Sequence, residues 1–345
     1  MHRHTPRLIL APIGFMVVAI ALASCSPKGA SGPTSELPAG GGAKQKPRIM
    51  LITNGHSPFW DPMEVGLRKA AQEVGADASW DGPMNATVAD QKSLVEKYAS
   101  QGYDGIGISS IEAAPMVPVI DRLVSRGIKV ITLDSDTPGS KRIAYIGTNN
   151  FKAGQEAGRA AMKLMPGGGT FVAFVGNQSA QNARERIDGF KDAVKGRNIT
   201  VTDVMDDQKD PVQARRNVEN VIQSRGAKVT GLLGVYSYNG PAIAEAVSTV
   251  KARDRYKIVV FDAEPKTLQE LEAGYIDATV VQKPYEFGYQ SVKLLAALIR
   301  DGEAKARQAL KVPSDGIIDT GVEVVTPATV KDFCARLKAL GVKSS

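Results

Sequence analysis

From residue 47 onward, short apolar runs alternate with longer segments in which apolar residues recur every three to four positions. The first run, 48–53, has the length of a buried strand, and the helical spacing over 58–74 stops at Gly75. The same pattern predicts further strands over 76–80, 105–110 and 129–134, and helices over 88–99 and 113–125. Buried strands separated by helices are typical of βαβ units, so we expect parallel sheets.

The alternation begins again after a glycine-rich stretch at 167–169. It predicts a second set of strands over 170–176, 199–204, 229–236, 257–262 and 275–282, and of helices over 183–194, 211–224, 241–251 and 285–300. Two consecutive sets of similar length predict an α/β protein of two doubly wound, parallel-sheet lobes.

The N-terminus follows a different pattern. Arg3 and Arg7 precede an apolar run over 8–23, which is the layout of a secretory signal. The run is too short and wrongly flanked to favour a membrane span. We therefore predict a signal peptide over 1–24 and a place of action outside the cytoplasm, in the periplasm or at the cell surface.

The signal ends in the tetrapeptide 22–25, Leu-Ala-Ser-Cys, which resembles the bacterial lipobox. In that motif the cysteine becomes the lipidated first residue of the mature protein, so Cys25 is predicted to anchor the chain to a membrane. Residues 25–46 are rich in Pro, Gly and Ser and are predicted to form a flexible tether. The alternative is an ordinary signal peptide with a chance cysteine.

Composition excludes several classes of protein. The 345 residues carry a formal net charge of +7, but no basic run is interleaved with aromatic residues, so nucleic-acid binding is not expected. Outside the signal the only histidine is His56, which leaves no histidine-based metal site. No phosphate loop and no nucleophile–base pair is evident. We expect a binding protein without cofactor or metal, and not an enzyme.

In open parallel sheets, ligands bind beyond the carboxyl ends of the strands. The residues that follow the predicted strands are polar or aromatic, and with one helical arginine they form the candidate site: Ser57, Phe59, Trp60, Ser109, Asp134, Asp136, Arg184, Tyr238, Asn239, Asp262 and Gln282. Aromatic walls with carboxylate, amide and guanidinium groups suit a neutral sugar or polyol, because charged partners make the stronger hydrogen bonds to hydroxyls. A core-packing role is the alternative for Trp60.

Five segments in order then resemble one family, the ribose-binding-protein group of periplasmic sugar-binding proteins that serve bacterial ABC importers. The matching segments are 57–60 (SPFW), 130–134 (VITLD), 183–190 (ARERIDGF), 259–262 (VVFD) and 278–284 (ATVVQKP). The resemblance implies two α/β lobes joined by three chain crossings, the type I periplasmic binding protein fold. It places the N-terminal lobe at 47–147 plus 284–319 and the C-terminal lobe at 148–283 plus 320–345.

The resemblance also implies roles for individual residues. Phe59 and Trp60 fall where the family stacks aromatic rings on a sugar, and Asp134, Arg184, Asp262 and Gln282 fall on its polar ligand-binding positions. Ser57, Ser109 and Tyr238 fall where ribose binders have Asn, with Asn239 beside the last. Ser135 replaces an Arg, and an aromatic residue expected near Lys209 is absent. The resemblance therefore implies a sugar or sugar-like polyol without naming one.

The expected function is capture of this ligand by a monomer and delivery to the transmembrane subunits of an ABC permease. The alternative is a membrane-anchored sensor subunit for a sugar or signal molecule. The same α/β pair occurs in sugar-responsive repressors, but those begin with a helix-turn-helix, whereas this chain begins with a signal and a tether.

Overall fold

The computed structural model describes residues 46–342, which form two mostly parallel sheets of six strands each. The strands of the first sheet are β1 (Arg48–Ile52), β2 (Asp77–Asp81), β3 (Gly105–Ile108), β4 (Lys129–Leu133), β5 (Tyr145–Gly147) and β11 (Ile317–Asp319). Those of the second are β6 (Gly169–Val175), β7 (Ile199–Asp206), β8 (Gly231–Gly234), β9 (Lys257–Phe261), β10 (Ala278–Val281) and β12 (Glu323–Val325). The predicted signal, Cys25 and nearly all of the tether lie outside the described residues.

Helices cover both faces of each sheet. Those beside the first sheet are α1 (Asp61–Val74), α2 (Val88–Ser100), α3 (Ala113–Ser125), α9 (Pro284–Asp301) and α10 (Glu303–Ala309). Those beside the second are α4 (Asn150–Leu164), α5 (Gln181–Ala193), α6 (Pro211–Arg225), α7 (Asn239–Thr249), α8 (Pro265–Glu272) and α11 (Val330–Ala339). We call the first sheet with its helices the first lobe, and the second sheet with its helices the second lobe.

The two sheets share one strand order. The first runs β11-β5-β4-β3-β1-β2 and the second runs β12-β10-β9-β8-β6-β7, so β4 and β9 occupy equivalent places. They differ at one edge, where β11 pairs parallel to β5 but β12 pairs antiparallel to β10. The chain passes between the lobes three times: after β5, after β10, and between β11 and β12. The predicted fold class of two doubly wound lobes is confirmed.

Each sheet has an apolar core on both of its faces. Strand β1 shows why, since Ile49 and Leu51 point into the core beneath α1 and α9 while Met50 and Ile52 point into the core beneath α2 and α3. A strand buried on both sides reads as a continuous apolar run, and this is the pattern that the sequence showed.

One helix pair in each lobe packs backbone against backbone. In the first lobe, a Cβ atom on Gly66 of α1 would collide with the carbonyl of Tyr285 in α9. In the second lobe, a Cβ atom on Gly154 of α4 would collide with the carbonyl of Arg186 in α5. Glycine is needed at these positions because the helix axes approach closely, and the second contact fixes the place of Arg186.

The structure differs from the predicted elements mainly where an element is short or where its buried side chains are small. Strand β10 begins at Ala278 and not at 275. The backbone N–H groups of Tyr275 and Ile276 both donate to the carbonyl of Glu270, so these two residues belong to the turn that ends α8. Strands β5, β11 and β12 have three residues each and were not predicted. Helix α4 was missed because its buried face consists of Asn, Ala and Gly.

Candidate ligand-binding cleft

A cleft of about 400 Å³ opens between the carboxyl ends of the two sheets. Cavities of this size suit small-molecule ligands. Of the predicted site, it is lined by Ser57, Phe59, Trp60, Asp134, Tyr238, Asp262 and Gln282. Its lining also includes residues that were not selected from the sequence, among them Asn54, His56, Asn182, Arg186, Lys209, Tyr236 and Glu264.

Two aspartates occupy equivalent places on opposite walls of the cleft. Asp134 directly follows β4 and Asp262 directly follows β9. Both have left-handed backbone conformations, with φ of 55° and 69°, and both are buried. Non-glycine residues held in this conformation are strained and are often found at functional sites.

The carboxylate of Asp134 is held within the first lobe. The hydroxyl of Ser109 donates to its Oδ2 at 2.8 Å, and the hydroxyl of Tyr145 donates to its backbone carbonyl at 2.7 Å. Burial raises the pKa of Asp134 to about 6, although the Ser109 hydrogen bond and Arg186 act in the opposite direction. Ser109 therefore supports Asp134 from behind the cleft wall.

Arg186 on α5 is the buried cation of the second lobe, with 2% of its surface exposed. Its Nε donates to Asn150 at 3.0 Å and its Nη1 donates to the carbonyl of Val235 at 2.8 Å. Nη1 also lies 3.9 Å from Oδ2 of Asp262, and the guanidinium lies over the ring of Phe261. This anchoring leaves the other edge of the guanidinium facing the cleft.

The prediction for Arg184 needs correction. Arg184 is exposed, is absent from the cleft lining, and donates to the carbonyl of Ser179. Residues two positions apart lie about 200° apart around a helix, so Arg184 and Arg186 point to opposite sides of α5. The cleft arginine is Arg186.

Gln282 completes the wall beside Asp262. Its Nε2 donates to Oδ1 of Asp262 at 2.9 Å. Its Oε1 is buried and has no hydrogen-bond partner among the described residues. Burial raises the pKa of Asp262, while Arg186 and Gln282 act to lower it. A buried acceptor without a donor is costly, so this site favours a ligand that supplies one.

Tyr238 and Asn239 belong to a network around Asp207, which the sequence did not reveal as part of the site. The hydroxyl of Tyr238 donates to Asp207 at 2.6 Å, and Nδ2 of Asn239 donates to it at 2.9 Å. Oδ1 of Asn239 accepts from the backbone of Tyr236 at 2.9 Å. Asn239 is thus occupied at both ends and does not line the cleft. Burial raises the pKa of Asp207 to about 6.

Phe59 and Trp60 line the cleft from a short 3-10 turn that begins after Ser57. Their rings meet edge to face, with centroids 4.9 Å apart. Trp60 is also 2% exposed and belongs to the first-lobe core, so its core-packing role is real. Phe59 is half-buried and presents more of its ring to the cavity.

Asp136 does not line the cleft. Its carboxylate accepts both Nε and Nη2 of Arg142, at 2.5 and 2.6 Å, and the hydroxyl of Thr132 at 2.5 Å. A bidentate pair of this kind leaves little acceptor capacity for a ligand. Asp136 instead shapes the loop that follows β4.

Within residues 46–342, no cluster of His, Cys, Asp and Glu side chains could hold a metal ion. Over the same residues, no helix combines the length and the apolar character that crossing a membrane would require.

Residues 49–304 match the family model of the periplasmic binding protein domain. The match spans more than half of the chain, so the protein belongs to the periplasmic binding protein family. Members of this family bind substrates for transport and are not enzymes. The resemblance inferred from the five sequence segments is confirmed.

Curated and solved relatives extend over most of the chain. The xylose/arabinose-binding protein XylF of Sulfolobus acidocaldarius is 23% identical over 296 residues, 80% of this chain and 70% of that protein. An ABC transporter solute-binding protein from Burkholderia graminis, solved with D-arabinose, is 32% identical with a TM-score of 0.75, covering 82% and 96%. GanP, a glucose-galactose binding protein from Geobacillus stearothermophilus, is 29% identical with a TM-score of 0.75, covering 83% and 99%.

Proposed function

We propose that this protein captures a neutral sugar or sugar-like polyol in the cleft between its lobes and delivers it to an ABC permease. One observation carries the proposal: buried hydrogen-bonding groups from both lobes converge on a single cavity, and one of them, Oε1 of Gln282, lacks a donor. The relatives compared above bind xylose, arabinose, glucose or galactose, which fits the same chemistry.

The polar groups of the cleft suit hydroxyls, which donate and accept at once. Asp134, Asp262 and Gln282 supply acceptors, and Arg186 supplies a donor. Two cations line the cleft, the buried Arg186 and the half-buried Lys209. They offset most of the negative charge of the lining acids Asp134, Asp262 and Glu264, which favours a neutral ligand over an anionic or cationic one. In a dry site, an analogue that lacks a hydroxyl leaves a buried group unpaired and binds more weakly.

The placement of these groups also accounts for capture. Asp134 belongs to the first lobe, whereas Arg186, Asp262 and Gln282 belong to the second. A ligand that contacts both walls makes all of its hydrogen bonds only when the lobes are close, so it stabilises the closed state. The closed state is the form that a permease would recognise.

The test is a thermal-shift screen of the purified protein against pentoses, hexoses, polyols and nucleosides, because a ligand of the folded state raises the melting temperature. We expect at least one sugar or polyol to raise it, and mass spectrometry to recover that compound unchanged. A screen in which only nucleosides or charged compounds act would contradict the proposal.

Delivery is tested in the source bacterium. Deleting the gene should abolish uptake of the identified sugar at low concentration while growth on high concentrations persists. Uptake that continues while only the transcriptional response to the sugar is lost would favour the sensor role instead.

We further propose that Cys25 anchors the protein, as a monomer, to the outer face of a bacterial membrane. Cys25 lies outside the described residues, and the support is the sequence motif with its tether. One acyl chain binds a membrane only marginally, so stable attachment needs the multiply acylated cysteine of bacterial lipoproteins. Cell fractionation should place wild type with membranes and Cys25→Ala in the soluble fraction. Equal membrane retention of both would contradict the anchor.

A further inference from the structure

Lys209 belongs to the second lobe and lines the cleft, but its ammonium group forms no ion pair with the described residues of that lobe. It lines the cavity from the loop between β7 and α6 and is half-buried. None of the ion pairs formed within residues 46–342 includes its ammonium group. The acids that interact with it electrostatically, Glu112 and Asp134, belong to the opposite lobe. Its ammonium therefore faces the cavity and the wall across it.

The backbone that presents Lys209 is strained. Gln208 and Lys209 are consecutive non-glycine residues in the left-handed region, with φ of 54° and 64°. Each such residue is energetically unfavourable and persists only where the surroundings enforce it. The exposed Lys251 has the same backbone conformation, so strain by itself does not mark a site. At Lys209 the strain coincides with a place in the cleft lining, and the two together point to a function for the side chain.

Two aspartates enforce this conformation. Oδ1 of Asp206 accepts the N–H of Gln208 at 2.8 Å, and Oδ1 of Asp207 accepts the N–H of Lys209 at 2.9 Å. Asp207 is itself fixed by Tyr238 and Asn239. The network around Asp207 thus ends at the backbone of Lys209.

We propose that Lys209 is a specificity-determining residue that donates a hydrogen bond to an oxygen of the ligand, and that Asp207 is its positioning residue. This inference rests on the proposed function and adds to it the chemistry of one ligand position. An ammonium on one wall and the Asp134 carboxylate on the other fit a hydroxyl between them, which accepts from Lys209 and donates to Asp134. The ligand therefore carries an oxygen at this position. An aromatic residue in place of Lys209 would instead favour an apolar C–H face of the ligand.

The experiment is calorimetric titration of wild type and Lys209→Met with D-xylose, D-arabinose and D-galactose and with the monodeoxy forms of each. Met keeps the length of the side chain and removes its charge. In wild type, one deoxy position should weaken binding about 10- to 100-fold, as for a charged hydrogen bond. In Lys209→Met, the affinity for the parent sugar should fall by about 10-fold or more. The further loss caused by removing the hydroxyl at that position should be smaller than in wild type, because only its hydrogen bond to Asp134 remains to be lost.

Lys251→Met is the matched control, because Lys251 is a second left-handed lysine of the same lobe, with φ of 52°, but is exposed and outside the cleft. It should leave every affinity unchanged. Wild-type binding with the same deoxy discrimination in Lys209→Met would overturn this inference alone. If no pentose, hexose or polyol binds to wild type, the sugar assignment and this inference are overturned together.

Asp207→Asn tests the positioning role. It should reproduce the reduced discrimination of Lys209→Met, and the double variant should bind no more weakly than Lys209→Met. A purely structural role would leave the deoxy discrimination of the single variant Asp207→Asn as in wild type and would make the double variant bind more weakly than Lys209→Met. That result would overturn the role of Asp207.

Discussion

Asp134 and Asp262 occupy equivalent places in two sheets of the same strand order, and they differ in how their charge is balanced. Both follow a buried strand, both are strained and both are buried. Asp262 has a cation, Arg186, and an amide, Gln282, within its own lobe. Asp134 has only the hydroxyl of Ser109 in its lobe, and the cations near it, Arg186 and Lys209, lie across the cleft.

The difference shows that one backbone position can serve two electrostatic roles. The surroundings of Asp262 are fixed by its own lobe and do not depend on how far the cleft is open. The surroundings of Asp134 depend on the opposite lobe and on the ligand, because every opposite charge near it is there. Asp134 should therefore be the carboxylate that couples ligand binding to the approach of the lobes.

The largest effect is expected from removing the cation beside Asp262. Arg186→Met leaves that carboxylate buried without a counter-charge, which typically costs about 3–5 kcal/mol of stability. We expect a drop of this size in urea unfolding and loss of measurable sugar binding by calorimetry. The exposed Arg184→Met is the control and should change stability by less than about 0.5 kcal/mol. Equal effects of the two variants would refute the assignment of Arg186.

Neutralising each aspartate in turn should have unequal effects on stability. Asp262→Asn leaves Arg186 buried without its counter-charge, whereas Asp134→Asn removes a buried charge that has no cation in its own lobe. Without ligand at pH near 7.5, Asp134→Asn should be more stable than Asp262→Asn by about 2–4 kcal/mol, measured by chemical unfolding. Both should bind the sugar more weakly. Equal stability of the two variants would show that Arg186 does not distinguish them.

The pH dependence follows from Asp134 and Asp207, whose pKa values are raised by burial to about 6 from 3.8. The folded state therefore holds protons that the unfolded state has lost, and these groups stabilise it least once the pH passes about 6. The ligand-free protein should be about 1–3 kcal/mol more stable near pH 5 than near pH 7.5. Sugar affinity should move the opposite way, because ionised carboxylates accept hydroxyls better.

Melting curves across this pH range provide the measurement, with the Asp134→Asn/Asp207→Asn double variant as control. The slope should be weaker in that variant. Stability that rises from pH 5 to 7.5 in wild type, or an unchanged slope in the double variant, would contradict the role of the two carboxyls.

The smallest effect is expected from the support of Asp134. Ser109→Ala removes the hydrogen bond to its carboxylate, which should raise the pKa of Asp134 further and lower stability near pH 7.5 by about 1 kcal/mol. Ser110→Ala is the control, since its hydroxyl pairs with Thr137 and not with a carboxylate. Ser110→Ala should leave the pH dependence of stability unchanged. The same change of pH dependence in both variants would show that Ser109 does not act through the carboxylate of Asp134.

Much of the cleft could be predicted because strand ends are local features of the sequence. Asp134, Asp262 and Gln282 each directly follow a buried strand, and a parallel sheet brings such positions together at one edge. The position of Arg186 could also have been inferred from the sequence. Ala183, Ile187 and Phe190 mark the buried face of α5, and Arg186 lies on that same face.

Other features depend on contacts between distant segments. Asp207 is 31 residues from its partner Tyr238, so no local pattern links them. Asp136 and Asn239 were assigned to the ligand because both follow strands. Their actual hydrogen-bond partners, Arg142 and Asp207, are brought to them by the geometry of the loops, which the sequence pattern does not reveal. Helix α4 was invisible because close helix packing selects Ala and Gly, which carry no large apolar signal.

The shared strand order has a consequence for the order in which the protein is made. The sixth strand of the first sheet is β11, at Ile317–Asp319, and that of the second is β12, at Glu323–Val325. Helix α9, which packs against α1 through Gly66, begins only at Pro284. During synthesis neither sheet can therefore be completed until more than 300 residues have left the ribosome. Both lobes are therefore completed only at a late stage of synthesis, and at nearly the same moment.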